Sequence, residues 1–203
     1  MLHPIPCVWL GGQPLTLGIV DHVVPNNPAC GILAAKYLID RGCSGLAYVN
    51  NVPMHVAFTA RRDTFTCLLE DHLRPVAKFE TPTQELEREL WDGNRMCIDL
   101  GRLVARVVRR KQVPDGFFLP TDQQASVFQR LMIEQGLVAE KDFFTVSCNR
   151  DEPWLATMNP RAATIDTRPV EVGRTAARQL MRRIENPGEE VVTITVRPEL
   201  IEP

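Results

Sequence analysis

Polar side chains follow five strands of the predicted sheet, at the positions where each strand ends. The carboxyl ends of parallel strands share one edge of a sheet, and ligands bind at that edge. Amides, carboxylates, arginines and one aromatic side chain gathered there suit a small polar or polyhydroxylated ligand. The residues are Asn26, Asn27, Asn50, Asn51, Thr121, Asp122, Asn149, Arg150, Asp151, Glu152, Trp154, Thr167 and Arg168.

Two adjacent arginines, Arg61 and Arg62, lie one turn inside the helix predicted after the strand GLAYV. A guanidinium presents a planar fork of donors that matches a carboxylate or a pair of sugar hydroxyls. Ion pairs at the protein surface are the alternative explanation for both residues. Neighbouring helix positions point about 100° apart, so the two side chains are not equivalent.

Each of the other candidates also has a structural explanation. Asp122 can act as a helix N-cap, and so can Asn26 or Asn27 before the next helix. Trp154 can pack in a core rather than stack on a sugar. The run Arg109–Lys111 complements the carboxyl end of a helix and does not indicate a DNA-binding patch.

The sequence contains no positive sign of catalysis. The phosphate-binding patterns GxGxxG and GxxxxGK[ST] and the nucleophile elbow GxSxG do not occur. Cys148 could act as a nucleophile if His55 approached it in space, and Asp122 with Asp151 could form a carboxylate pair. Six cysteines and four histidines are scattered without CxxC spacing. We therefore expect no metal site and no cofactor, and we expect reduced thiols.

Composition narrows the class of protein further. The 203 residues carry 23 lysines and arginines against 25 aspartates and glutamates, a net charge of −2. This balance provides no basic field for nucleic acid. No apolar run approaches the ~18 residues of a membrane span, and the first residues lack the pattern of a signal peptide. We therefore expect a cytoplasmic protein without a membrane partner.

Apolar strands and amphipathic helices alternate along most of the chain. The predicted strands are PCVWL, IVDHVV, GLAYVN, PVAKFE, DGFFLP, DFFTVSC, AATIDT and VVTITV, and the predicted helices are PACGILAAKYLIDRG, AFTARRDTFTCLLEDH, DLGRLVARVVRRK, DQQASVFQRLMIEQGL and PVEVGRTAARQLMRRIENPG. The charged run ELEREL indicates a solvated helix face. This alternation predicts an α/β fold with mostly parallel sheets and helices on both faces.

The order of these segments resembles the effector-binding domain of the LacI/GalR (lactose-repressor/galactose-repressor) family. The segments that carry the resemblance are IPCVWLGG, VVPNNPACGILAAKYLIDRG, ARRDTF, FFLPTDQQASVFQRLMIEQGL, FFTVSCN and ATIDTRPVEVGRTAARQLMRRI. Members of that family show "IPVV", "DN" before a helix, "R…GF", "ND", "VVGFD" and "TT" in the same order. The resemblance covers nearly all of the chain, and it depends on order and spacing rather than on one motif.

The resemblance assigns effector contacts to particular positions. Arg61 lies at the arginine of "R…GF", and Asn149 at the aspartate of "VVGFD", so that one charge is absent here. Thr121 and Asp122 replace "ND". The remaining positions that the resemblance implies to contact effector are Asn26 and Asn27 at "DN" and Thr167 after "TT". Trp154 is a further candidate, as a platform for a sugar ring, because it follows the end of the strand FFTVSC.

The resemblance also implies a periplasmic-binding-protein-like fold of type I, with two Rossmann-like lobes and an effector in the cleft between them. Residues 1–43 and 164–188 would form a partial N-terminal lobe, and residues 44–163 and 189–203 a C-terminal lobe. The helix-turn-helix headpiece and first units of the family are missing, so we expect a truncated chain.

The function implied is effector sensing by a repressor-type transcriptional regulator. A sugar or a related small polar metabolite would bind, operator DNA would be contacted through the missing headpiece, and the regulator would be a homodimer. A solute-binding protein of a sugar transporter is the first alternative. A small α/β enzyme that uses Cys148 or Asp122 is the second.

Overall fold

The computed structural model describes residues 5–11, 20–72, 74–82 and 93–203. Nine strands and six helices lie within these ranges. In chain order they are β1 (Val8–Leu10), β2 (Asp21–Pro25), α1 (Asn27–Asp40), β3 (Leu46–Asn50), α2 (Val56–Asp71), β4 (Val76–Glu80), α3 (Gly93–Val108), β5 (Gly116–Phe118), α4 (Asp122–Glu134), β6 (Phe144–Cys148), α5 (Glu152–Leu155), β7 (Ala163–Asp166), α6 (Pro169–Glu185), β8 (Thr193–Val196) and β9 (Glu199–Ile201). None of the helices in these ranges combines the length and apolarity needed to cross a membrane.

The chain divides into two compact units, each built on its own sheet. Unit 1 comprises residues 1–26 and 167–198, and unit 2 comprises residues 27–166 and 199–203. In unit 1 the strands β1, β2 and β8 pair in parallel in the order β1-β2-β8. Helix α6 begins at Pro169, where a fixed φ favours the first helical turn, and buries Val172 and Ala176 with Val23 and Val196.

Unit 2 has a six-stranded sheet in the order β4-β3-β5-β6-β7-β9, parallel except for β9. Side chains alternate between the two faces of a strand, and β3 shows this directly. Leu46 and Tyr48 pack with the helices α1 and α2, whereas Ala47 and Val49 pack with α3 and α4. Both faces are therefore covered by helices, which explains the continuous apolar runs of the central strands.

Helices α1 and α2 approach closely because α1 carries glycine at the contact. A Cβ atom on Gly31 would lie 2.3 Å from the backbone oxygen of Arg61 and 2.7 Å from the backbone nitrogen of Phe65. Any larger residue would push the helices apart. This contact determines how near α1 lies to the backbone that carries Arg61.

The predicted secondary structure is largely confirmed, with one error and two omissions, strand β9 and the four-residue helix α5. All eight predicted strands and all five predicted helices are present. The third predicted helix ends at Val108, so Arg109–Lys111 follow the helix and do not form its last turn. Strand β9 was missed because its three residues are too short to show a period. The run ELEREL lies outside the described residues.

The structure divides the chain at other residues than those predicted from the resemblance. Helix α1 belongs to unit 2 rather than to residues 1–43, because Cys30 and Leu38 pack with Phe65 of α2. Strand β8 belongs to unit 1 rather than to residues 189–203, because it pairs with β2. The chain therefore passes between units at positions 26–27, 166–167 and 198–199.

Candidate functional site

A cavity of about 270 Å³ opens in unit 2 at the carboxyl edge of the parallel strands. The first turns of α2 and α4 and the loop after β6 contribute its walls, as expected for a ligand site in a sheet of this kind. Its size is close to the lower end of known small-molecule pockets, roughly 300 Å³. The cavity is lined by His55, Ala57, Phe58, Arg61, Thr121, Asp122, Gln123, Asn149 and Asp151.

Arg61 is the buried cation of this cavity, with 4% of its surface exposed. Helix spacing explains the burial, because Phe58, Arg61 and Phe65 lie on one face of α2. The Nε atom donates to Oδ1 of Asn27 at 2.9 Å, and the nitrogen NH1 donates to the backbone oxygen of Pro120. The guanidinium also lies 5.7 Å from the centre of the Phe58 ring.

Asn149 holds the other side of the Arg61 guanidinium. Its Oδ1 accepts from NH1 and NH2, both at 3.4 Å. The residue has a positive φ of 105°, in a region that asparagine tolerates better than most residues. Its backbone N–H donates to Ile165 at 2.9 Å, so strand β7 anchors this loop at the end of β6. The loop conformation therefore aims the amide at the arginine.

Arg62 has the surface role predicted as the alternative for both arginines. Its guanidinium forms ion pairs with Asp63 at 2.8 Å and Glu80 at 3.2 Å. The neighbouring Arg61 forms no ion pair with any carboxylate in the described part of the chain. Within the described residues, carboxylates therefore neutralise Arg62, whereas Arg61, its neighbour in the sequence, has only neutral acceptors.

Asp122 lines the cavity, but its carboxylate is already held by protein donors. Oδ1 accepts from the hydroxyls of Ser147 and Thr164, and Oδ2 accepts from the backbone N–H of Asp151 at 2.7 Å. Burial raises the pKa of Asp122, and these hydrogen bonds act in the opposite direction. We infer that Asp122 positions the loop after β6 and ties α4 to strands β6 and β7.

The N-cap of α4 is Thr121 and not Asp122. The Thr121 side chain accepts from the backbone N–H of Gln124 at 3.2 Å. The prediction that Asp122 could cap the helix is therefore wrong, because Asp122 is the first helical residue and turns toward the sheet. The hydroxyl hydrogen of Thr121 stays available for a ligand, since the cap uses only the oxygen.

The sequence did not single out His55 and Phe58 as cavity residues. Their rings lie 4.1 Å apart and form part of one wall. Burial, followed by the charge of Arg61, lowers the pKa of His55 below its usual value near 6.5, so this imidazole is neutral at pH 7. Phe58 lies one turn before Arg61 on α2, and this spacing was the available signal, but a phenylalanine at helical spacing is far more often a core residue. His55 precedes the helix as its N-cap residue and shows no such spacing.

The cavity brings together part of the predicted set of effector contacts. The cavity is lined by four of them, Arg61, Thr121, Asp122 and Asn149. Asn27 does not line the cavity, but its side chain accepts a hydrogen bond from Arg61. Trp154 lines a different cavity of about 630 Å³, together with Arg130, Ile133 and Met158. The two other predicted residues, Asn26 and Thr167, belong to unit 1.

The catalytic alternatives gain no geometric support. Cys148 is fully buried, and burial raises the pKa of its thiol well above the ordinary value. A nucleophilic cysteine needs the opposite shift. Among the described residues, no three histidine, cysteine, aspartate or glutamate side chains converge as metal ligands would.

Comparison with known proteins identifies the family. Residues 35–202 match the sequence profile of the periplasmic binding protein-like domain. The chain belongs to this family. As a periplasmic binding protein-like domain it has the predicted α/β fold, and the resemblance to the effector-binding domain of LacI/GalR regulators is confirmed by relatives of that type.

Curated relatives of this periplasmic binding protein-like domain include two proteins named HTH-type transcriptional repressor PurR. The HTH-type transcriptional repressor PurR of Vibrio atlanticus (strain LGP32) is 24% identical over 183 residues, which are 90% of this chain and 52% of that protein. PurR of Aliivibrio fischeri (strain ATCC 700601 / ES114) is 23% identical over 197 residues, covering 95% and 54%. The chain thus spans about half the length of these relatives.

Solved structures with the same fold include LacI-type regulators with bound sugars. A LacI family transcriptional regulator from Enterococcus faecium with bound ribose aligns with a TM-score of 0.75 and 19% identity, covering 97% of this chain and 68% of that chain. The transcriptional regulator CelR in complex with cellobiose aligns with a TM-score of 0.75 and 19% identity, covering 96% and 57%. At this identity the structures establish the fold.

Proposed function

We propose that this domain is the effector sensor of a transcriptional repressor and binds a sugar or a related small polar metabolite. The observation that carries the proposal is the Arg61 guanidinium. It is buried at a cavity, is oriented by three carbonyl oxygens, and has no ion-pair partner among the described residues. A desolvated charge without a counter-ion is costly unless a ligand makes use of it.

The relatives support a regulatory role. Two curated relatives are named as PurR repressors, and two structural neighbours are transcriptional regulators that hold ribose or cellobiose. A regulator responds when its ligand binds one arrangement of the protein better than another. We propose that effector binding at Arg61 has this effect and so changes the affinity for operator DNA.

The proposal includes the partners and the compartment predicted from the sequence. Operator DNA would be contacted through a headpiece that these 203 residues do not include, which fits their net charge of −2. The regulator would be a cytoplasmic homodimer.

A binding role rather than a catalytic one is part of the proposal. The raised pKa of Cys148 and the fully engaged carboxylate of Asp122 favour it. Transport of a solute would use the same cavity, so effector binding alone does not separate the two functions. Effector-dependent release of the complete protein from operator DNA would separate them.

A thermal-shift screen of sugars, followed by calorimetry, tests the site. We expect Arg61→Ala to weaken effector binding by about 1–3 kcal/mol, the value of a charge-assisted hydrogen bond. Arg62→Ala is the matched control, because its ion pairs with Asp63 and Glu80 lie outside the cavity. Equal loss of affinity in both variants, or unchanged affinity in Arg61→Ala, would remove Arg61 from the site.

A further inference from the structure

Around Arg61 the cavity wall offers donor hydrogens that have no strong acceptor. The guanidinium can only donate, so the Asn149 amide must turn its oxygen toward it, as the two contacts at 3.4 Å show. The amide nitrogen of Asn149 donates to no other group among the residues described, and it belongs to a cavity-lining side chain. Within the described residues, the nitrogen NH2 of Arg61 donates only to Oδ1 of Asn149, at the long distance of 3.4 Å. The Arg61 guanidinium and the Asn149 amide nitrogen therefore both lack a strong acceptor.

Two carboxylates also line this cavity, and neither neutralises Arg61. Asp122 is buried and accepts from Ser147, Thr164 and the backbone of Asp151. Asp151 is exposed to solvent, and its side chain makes no cap hydrogen bond to α5. A solvated carboxylate is screened by water and salt, whereas the charge of buried Arg61 is not.

Two further polar residues of the cavity, His55 and Thr121, do not neutralise the charge of Arg61. His55 is neutral at pH 7, because burial and the charge of Arg61 lower its pKa. Thr121 offers a hydroxyl hydrogen, since its oxygen accepts from Gln124. A neutral sugar hydroxyl would leave the buried positive charge without a counter-ion. An oxyanion would accept from the guanidinium, the amide and the hydroxyl together.

We propose that the effector carries an oxyanion, either a carboxylate or a phosphate, and that this group binds Arg61 and Asn149. The inference rests on the proposed function and specifies its ligand class. Asn149 is then the residue that determines specificity. It holds the guanidinium with a neutral oxygen and leaves the positive charge for the ligand.

Matched pairs of probes on the purified protein test the charge preference. Glucuronate against glucose tests a carboxylate, and ribose 5-phosphate against ribose tests a phosphate. We expect the charged member of at least one pair to bind at least about tenfold more tightly. Asn149→Asp puts a carboxylate beside the guanidinium and should reduce that preference by about tenfold. Arg62→Gln, on the neighbouring surface position, should keep the preference of the wild type.

A second measurement does not depend on the carbon skeleton of the effector. At equal ionic strength, sulfate should raise the melting temperature of the wild type more than chloride does. This difference should shrink in Asn149→Asp and in Arg61→Met, and it should persist in Arg62→Gln. Equal responses in all four proteins would overturn the oxyanion site.

The outcomes separate this inference from the proposed function. A neutral sugar that binds as tightly as its charged counterpart, with Arg61→Ala weakening both, would overturn the oxyanion and leave effector sensing intact. Absence of binding by every probe, together with a sulfate response that depends on Arg61, would support the anion site and contradict a sugar effector.

Discussion

Each of the two units holds an arginine through several hydrogen bonds, and the two contacts are balanced differently. In unit 1, the partly exposed Arg183 donates to both oxygens of the buried Asp21, at 2.7 and 2.8 Å, and Gln179 adds a third hydrogen bond. Among the described residues of unit 2, Arg61 has only carbonyl acceptors, from Asn27, Pro120 and Asn149. A neutralised charge stabilises the fold, whereas an uncompensated charge at a cavity is suited to a ligand.

The largest expected effect comes from breaking the neutralised contact. Asp21→Ala leaves Arg183 without its partner and Gln179 and Val192 without an acceptor. We expect the free energy of unfolding to fall by roughly 3 kcal/mol, because the buried amide of Gln179 and the backbone N–H of Val192 both lose their acceptor. Denaturant unfolding measures this. Glu189→Ala, which breaks the exposed pair with Arg182, is the control and should leave stability near that of the wild type. Similar losses in both variants would contradict the comparison.

The same contact predicts a dependence of stability on pH. Hydrogen bonds from Arg183 hold the pKa of Asp21 well below its usual value. A lowered folded-state pKa contributes stability that is present above the unfolded value of about 3.9 and is lost as pH falls below it. Unfolding measured between pH 6 and pH 2 should therefore show a smaller decline in Asp21→Asn than in the wild type. Identical slopes in that range would exclude Asp21 as a contributor.

A smaller effect is expected from separating the helices that place Arg61. Gly31→Ala puts a Cβ atom against the backbone of Arg61 and Phe65. Overpacking of this kind costs about 1–3 kcal/mol of stability. Because Asn27 lies one turn before Gly31 on α1, the shift should also lengthen its hydrogen bond to Arg61 and weaken ligand binding. Gly173→Ala, where a Cβ atom meets nothing within 4 Å, is the matched control. A variant with lowered stability and unchanged affinity would show that the contact serves packing alone.

The smallest effect on stability should come from the uncompensated arginine itself. Arg61→Met keeps an apolar stem of similar length and removes a buried charge that has no ion-pair partner in the described chain. We expect unfolding free energy within about 1 kcal/mol of the wild type, alongside the loss of ligand response. Calorimetry and denaturant unfolding of the same sample check both. A loss as large as that of Asp21→Ala would mean that Arg61 stabilises the fold rather than a ligand.

Local patterns in the sequence were enough to predict most of the fold. Strands such as Leu46–Asn50 and helices such as Asn27–Asp40 follow from runs and periods that lie within one element. The end of α3 was misplaced because Arg109–Lys111 have good helix propensity and no stop signal stands at Val108. Only part of the site could be predicted in the same way. Strand ends point to one edge, but they do not say which residues of that edge meet.

Two of the site residues show where prediction from sequence ends. Asp122 was correctly placed at the edge, but the N-cap role considered for it was wrong. Its partners Ser147 and Thr164 lie 25 and 42 residues away, so no local pattern shows them. Trp154 was placed beside the same strand end, yet the short helix α5 turns it into another cavity. Its side chain direction depends on how α5 packs against α4.

The sequence alone determined the α/β class, the alternation of elements and the family resemblance, since these depend on order and spacing along one chain. The resemblance in turn assigned Arg61 rather than Arg62 to the effector. The tertiary structure decided which charges are neutralised. Asp21 meets Arg183 across 162 residues, whereas Arg61 meets the amide of Asn149 across 88. Pairing at such distances depends on the order of strands in a sheet and on the closeness of two helices, and neither can be read from a local period.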